Sequence, residues 1–413
     1  MAYLKKFNSG LRLVVAKMEG LYSVTMGIMV GVGSVNETEL NNGICHFIEH
    51  TTFKGTPKRN SFQINDDVEF LGSRINAFTS KEVTAYHIKS TTDKVEPSFE
   101  ILSDMFVNAL YEQAELDKEK GVICEEIAMV DDTPDELCLD LLSQSFFGNN
   151  GYGRTILGSK ENVKSFTQKD VLDFRNQTYT AENTVVVFAG NIDEAFAEKL
   201  VAEYLEGKLN TKGVPTSQPS SIIFDKKSIK KEIEQTHFAL AFKGVEFEHK
   251  DKTNLTIASI VLGGGMSSRL FNKIREEQGL CYTIFAYPSF YKDCGSFVVY
   301  SGVNPTTTKQ AITSVLEEVD KFKTDGITEK EFLRAKNQYL SSLIMSQENN
   351  SSLMSAYAKY LLATNTLYNF EQAIKDIEEL EYSSVQKFIK EDMDFSDYAF
   401  SIVSASQGIE VLK

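Results

Sequence analysis

The chain has 413 residues, 43 Lys and Arg against 58 Asp and Glu, a net charge of -15, and 42% hydrophobic and 24% charged residues. That length exceeds one ordinary core, so the chain is expected to form two domains or one large one, with globular composition. The charge disfavours nucleic acid, which needs a basic footprint, and no run approaches the apolar length of a membrane span.

Met1-Ala2-Tyr3-Leu4-Lys5-Lys6 leads into the polar turn Asn8-Ser9-Gly10 without the apolar core of a signal peptide, so export by that route is not expected. The five cysteines, Cys45, Cys124, Cys138, Cys281 and Cys294, are odd in number and form no CxxC pair. Reduced thiols and a cytoplasmic setting follow, and zinc held by Cys is not indicated. Residues 11–16 and 24–33 read as two strands joined by a turn at Glu19-Gly20.

Directly after them comes Asn42-Gly43-Ile44-Cys45-His46-Phe47-Ile48-Glu49-His50. The pattern predicts a helix capped by Asn41 or Asn42 and ended by Gly55 and Pro57. At about 100° per residue, His46, Glu49 and His50 share one side, while Ile44, Phe47 and Ile48 share another that anchors the helix in a core. Two imidazoles at i,i+4 can reach one metal ion with a carboxylate beside them, the H-x-x-E-H arrangement of inverted zincins. A catalytic zinc needs three protein groups and an open position, so a third ligand is required elsewhere. Cys45 is not paired with His46 as a nucleophile, because sequence neighbours on a helix point about 100° apart.

Further along, 63–70 predicts a helix ending at Gly72, and 73–80 and 83–90 alternate as a strand pair. Helices are expected over 95–110, 114–130, 135–147 and 168–178, and a buried strand over 183–190. Residues 207–221, with Gly213, Pro215 and Pro219, make the best linker. Beyond it the order repeats: 83–105 is echoed by 296–319, 114–127 by 329–340, 171–174 by 385–388 and 183–190 by 398–405, at an offset of 212 to 216 residues. This register predicts an α+β fold of two homologous domains, 1–212 and 213–413, each a mostly antiparallel sheet with helices packed against it. Only the first carries His46 and His50. The run Gly263-Gly264-Gly265 lacks the Lys-Ser/Thr end of a phosphate loop.

The third ligand is sought on the helix over 114–130. Glu119 and Glu126 lie two turns apart on nearly the same face. Glu125 points about 100° away, and periodicity alone leaves open which of Glu125 and Glu126 faces inward.

His46-x-x-Glu49-His50 with Glu126 seventy-six positions after the second His resembles the pitrilysin/insulinase family of zinc peptidases, in its short-chain branch that includes mitochondrial processing peptidase. The likeness covers the whole chain. It extends through Phe53-Lys54-Gly55-Thr56, Ile75-Asn76-Ala77-Phe78-Thr79, Lys118-Glu119-Lys120-Gly121 and Asp131-Asp132-Thr133-Pro134 to Leu262-Gly263-Gly264-Gly265-Met266 and Ile274-Arg275-Glu276-Glu277-Gln278-Gly279-Leu280-Cys281-Tyr282. The resemblance implies that His46, His50 and Glu126 bind one Zn2+ per chain, that Glu49 is the base, and that Glu119 sits behind the ligands. It also implies that Asn76, Ala77 and Phe78 belong to an edge strand on which an extended peptide adds as another strand, and that Arg275 and Tyr282 bind substrate carbonyls. The expected activity is zinc-dependent hydrolysis of unstructured peptides in a closed chamber, with a Glu-activated water and no acyl-enzyme. The other reading is a non-catalytic assembly or peptide-binding subunit. A homodimer is expected, and the acidic balance favours basic peptides.

Overall fold

A computed structural model describes residues 2–211, 213, 215, 217, 220–406 and 408–412. Residues 212, 214, 216, 218 and 219 of the expected linker lie outside the described residues. The strands are β1 (Tyr3–Lys6), β2 (Arg12–Lys17), β3 (Ser23–Val30), β4 (Arg74–Thr79), β5 (Thr84–Thr91), β6 (Thr184–Gly190), β7 (Lys226–Lys230), β8 (Thr236–Lys243), β9 (Cys281–Phe290), β10 (Gly295–Val303) and β11 (Ala399–Ser404). Helices α1 (Ile44–Thr52), α2 (Ser61–Phe70), α3 (Val95–Asn108), α4 (Gln113–Asp131), α5 (Pro134–Phe147), α6 (Lys160–Ser165), α7 (Gln168–Thr178) and α8 (Glu194–Tyr204) fall in the first half. Helices α9 (Lys252–Gly263), α10 (Thr308–Asp325), α11 (Glu329–Ser346), α12 (Asn350–Thr364), α13 (Phe370–Glu378) and α14 (Tyr382–Lys387) follow.

The first sheet has the order β1-β2-β6-β3-β5-β4. β2 and β3 do not pair across the Glu19-Gly20 turn, because β6 lies between them, parallel to β2 and antiparallel to β3. The physical reason is burial: every residue of β6, Thr-Val-Val-Val-Phe-Ala-Gly, is inaccessible, which suits the middle of a sheet covered on both faces. Phe188 of β6 meets Phe99 of α3 at 4.8 Å between ring centroids. Burying such a ring stabilises the fold by about 1.5–3 kcal/mol. Over the other face of β3, Gly27 leaves room for α12, since a Cβ there would lie 2.3 Å from Met354 Sδ.

The second sheet has the order β7-β11-β8-β10-β9, with β7 and β11 parallel and the other pairs antiparallel. Replacing each strand by its counterpart turns β2-β6-β3-β5-β4 into this order, so the two sheets share one topology. Helix α5 packs on β11, β8 and β7. There Ser401 Oγ donates to the carbonyl of Cys138 at 2.8 Å.

The compact units are not the contiguous blocks 1–212 and 213–413. One comprises 1–127, 155–218 and 345–370, and the other comprises 128–154, 219–344 and 371–413. Helix α5 of the first half therefore belongs with the second sheet, and α12 of the second half with the first. Their apolar faces specify that something must cover them, and the sheet each one meets comes from the other half of the sequence. Among the described residues, no helix is long and apolar enough to cross a membrane.

Candidate active site

Helix α1 starts at Ile44, and its N-cap is Gly43 at φ +101°, with no side-chain cap. This corrects the expected cap by Asn41 or Asn42. Gly43 is required sterically as well, because a Cβ there would meet the carbonyl oxygen of Leu157 at 2.6 Å. The free amides at the start of α1 are met from a distance by buried Glu37, which accepts from Gly43 N at 2.9 Å and Cys45 N at 2.8 Å. A carboxylate at this end also complements the helix dipole. Asn42 spends its own amide on Glu37 and on the carbonyl of Thr155, at 2.7 and 2.9 Å. Ile44, Phe47 and Ile48 enter the core of the first unit, Phe47 edge-on to Phe166 at 5.3 Å. Cys45 is buried there too, and burial pushes its thiol pKa well up, as an inert core thiol requires.

The opposite side of α1 presents His46, Glu49 and His50. Helix α4 supplies the facing carboxylates: its buried face is Leu116, Glu119 and Ile123, and Glu126 continues that line one turn on. Glu126 Oε2 stands 3.6 Å from His46 Nε2 and 3.5 Å from His50 Nε2, whereas Glu125 is exposed. The structure thus brings Glu126, and not its neighbour, to the imidazoles. Glu119 Oε1 lies 2.9 Å from His50 Nδ1, and its other oxygen is 2.5 Å from Lys54 Nζ. A proton on His50 Nδ1, donated to Glu119, leaves the Nε2 lone pair aimed at the cluster.

His46, His50 and Glu126 each offer one ligand atom within 4.8 Å of the others. Glu126 Oε2 is buried and accepts no hydrogen bond among the described residues. Zinc bonds of roughly 2.0–2.2 Å in a tetrahedron place neighbouring ligand atoms about 3.4 Å apart, so separations of 3.5 and 3.6 Å suit that ion. The donor set fits a divalent cation with borderline-soft preference. Burial, aided by the adjacent His50, drives the His46 pKa down to about 3, so this imidazole is neutral, as a ligand must be. For His50, burial lowers the pKa, but the hydrogen bond to Glu119 and the charges of Glu126, Glu49 and Glu119 outweigh it, leaving the value raised. Burial would raise Glu119, but His50 and Lys54 more than offset it and hold the carboxyl ionised.

Glu49 is 9% exposed and its pKa is raised by burial, with partial opposition from a hydrogen bond that Thr79 donates to Oε2 at 2.5 Å. A buried carboxylate of raised basicity beside a cation site is placed to take a proton. Thr79 ends β4, the edge strand of the first sheet, which also carries Asn76, Ala77 and Phe78. Ala77 packs toward the core, while Phe78 has Lys359 Nζ 5.4 Å from its ring centre. The motifs that contain Thr79 and Lys54 do not disclose the hydrogen bond of Thr79 to Glu49 or the ion pair of Lys54 with Glu119. Strand parity placing Thr79 on the face of Ile75 and Ala77, and the i,i+4 spacing of His50 and Lys54, were the available signals.

Arg275 and Tyr282 lie in the second unit. Arg275 belongs to a π-helical stretch, Phe271–Glu277, and Tyr282 to the start of β9. The guanidinium stacks 4.8 Å from the Tyr282 ring centre and 4.7 Å from that of Phe271. Tyr282 is 74% exposed, so its ring is not a core residue.

Two imidazoles and a carboxylate converging beside a buried carboxylate form a donor set of the kind that holds a catalytic zinc. Family models match in two stretches: Insulinase (Peptidase family M16) over residues 13–160 and Peptidase M16 inactive domain over 165–339. A Bacillus subtilis (strain 168) protein named "Uncharacterized zinc protease YmxG" is 35% identical over 400 residues, 97% of each chain. An uncharacterized zinc protease of Streptomyces coelicolor is 32% identical, over 85% of this chain and 78% of its own. The chain belongs to the insulinase family, peptidase family M16. The fold is shared with a protease from Helicobacter pylori, at TM-score 0.89 and 22% identity over 98% of this chain and 99% of that one. It is also shared with a structure described as a peptidase M16 inactive domain from Pseudomonas fluorescens, at TM-score 0.92 and 17% identity over 99% and 98% of the two chains.

Proposed function

We propose that this protein is a zinc-dependent endopeptidase or oligopeptidase acting on unstructured peptides. The observation that carries the reading is the convergence of His46, His50 and Glu126 beside buried Glu49. His46, His50 and Glu126 hold the zinc, which supplies Lewis acidity toward the peptide carbonyl and the attacking water. Glu49 takes the water's proton and passes it to the departing amine. Glu119 fixes the His50 tautomer from behind. Asn76, Ala77 and Phe78 on β4 receive the peptide as an added strand, and Arg275 with Tyr282 binds its carbonyl groups.

The working unit is a homodimer enclosing a chamber, in which one chain's zinc centre uses its partner's Arg275 and Tyr282. Basic peptides are favoured at low salt through the net charge of -15. Five cysteines, odd in number and without a CxxC pair, support a cytoplasmic setting. The decisive experiment measures zinc content and cleavage of a quenched peptide library by the wild type and Glu49→Gln. The variant should retain zinc and lose about 10²–10⁴-fold in rate. Peptide binding without hydrolysis in the zinc-loaded wild type would favour a non-catalytic subunit instead. For the dimer, mixing Glu49→Gln chains with Arg275→Ala/Tyr282→Phe chains should restore activity. If subunit exchange occurs without recovery, sharing of the site is ruled out.

A further inference from the structure

The hydroxyl that holds Glu49 comes from the strand proposed to carry the peptide. β4 pairs with β5 along one side and ends the sheet on the other. Ile75 and Ala77 pack on the core of the first unit, and Thr79, two residues on, shares their face and reaches α1. The backbone just past Thr79 is pinned: Ser80 N donates to Val83 O at 2.8 Å, and Val83 N donates to Ser80 Oγ at 3.1 Å. A β-branched side chain on a fixed backbone has little freedom at χ1, so its hydroxyl is a rigid donor. It engages Oε2 of Glu49, and no other hydrogen bond to that carboxylate is formed among the described residues. One oxygen is therefore anchored while Oε1 stays free for proton transfer.

We propose that Thr79 is a positioning residue through which pairing of a peptide with β4 sets the orientation of Glu49. This rests on the peptidase reading above. A peptide long enough to pair along β4 bears on the backbone from which the Thr79 hydroxyl projects, and the stiff side chain passes any shift of that backbone to the carboxylate. Binding energy from residues remote from the cleaved bond then appears in kcat, and not only in KM. Thr79 touches no reacting atom; it acts through Glu49.

The test compares wild type, Thr79→Val and Thr79→Ser on a long peptide and on the same peptide trimmed to the residues flanking the cleaved bond. Thr79→Val should keep its zinc and its KM within about twofold while losing about 10–100-fold in kcat, the scale expected for a misplaced catalytic group. Thr79→Ser, which restores the hydroxyl, should recover most of the rate. In the wild type, trimming should lower kcat, and in Thr79→Val that length dependence should vanish. Unchanged kcat in Thr79→Val, a loss confined to KM, or a serine variant no better than valine would overturn the proposal.

A second readout does not involve hydrolysis. Denaturant unfolding of the metal-free full chain with Thr79→Val, Glu49→Ala and both should give equilibrium constants that depart from multiplicativity by about threefold or more. Multiplicative constants would show that Thr79 does not hold Glu49. If the wild type cleaves no peptide although this coupling is present, the peptidase reading has failed while the contact stands, and the two failures are told apart.

Discussion

Helices α1 and α9 occupy equivalent places: each follows the strand at the same position of its sheet, β3 or β8, and each packs against the corresponding edge strand, β4 or β9. Their buried residues differ in kind. α9 buries Leu255, Ile257, Ala258, Val261 and Leu262 with Asn254 and Ser259, whereas α1 buries His46 and Glu49 alongside Ile44, Phe47 and Ile48. Burying an imidazole and a carboxylate is costly unless they find partners. Around α1 those partners exist, in Glu126, Glu119 and Thr79, so the polar face is supported from two other elements. One topology thus serves as packing in one unit and as a candidate reaction centre in the other, and chemistry has to be argued from the site.

The difference can be broken most severely at His46. If the protein is the zinc peptidase proposed above, His46→Ala should take zinc from one per chain to near zero and abolish cleavage, while far-UV circular dichroism stays native, because the loss of one ligand leaves the core intact. Metal retained at full stoichiometry would refute the ligand assignment. In the other helix, Leu262→Ala should lower stability by about 2–5 kcal/mol, the usual cost of an emptied buried site, without changing zinc stoichiometry. Chemical denaturation and metal analysis on one sample check both halves of that statement.

Acid sharpens the contrast more mildly. In the second unit Glu331 receives Arg269 Nε at 2.7 Å and Nη2 at 2.8 Å. Burial alone would raise its pKa, but Arg269 and Thr328 overcome that and bring it down to about 2. A depressed folded pKa contributes stability above the ordinary carboxyl value, and that contribution is lost as pH falls from about 4.5 through about 2. It amounts to something on the order of 2–3 kcal/mol. Arg269→Gln should abolish this part of the pH dependence in denaturation curves taken between pH 5 and pH 3, and an unaltered slope would count against the pair.

How far the sequence could be read follows the range of the interactions. The helix with His46, Glu49 and His50 was legible because i,i+4 spacing is local, and 168–178 was expected where α7 is found. The third carboxylate was not separable from Glu125 by pattern. α4 puts Glu119 in its buried stripe and leaves Val122 and Met129 exposed, so apolarity does not mark its inward face. Glu37 escaped because capping rules look to the residue next to the helix, and here the acceptor folds back from six positions before Gly43. The partner sheets of α5 and α12 were equally hidden, since a buried face does not record what it is buried against.

The exchange of α5 and α12 between the halves has a consequence for how the gene product can be divided. A fragment ending near residue 213 would lack the helix that fills the space above Gly27, and the complementary fragment would lack the one seated on Ser401. Each piece alone would expose a sheet face, a surface prone to self-association. Supplied together, each carries the missing cover of the other. A backbone nick between 213 and 221 should therefore leave two segments that co-purify under native conditions and part only on denaturation, as a split protein does.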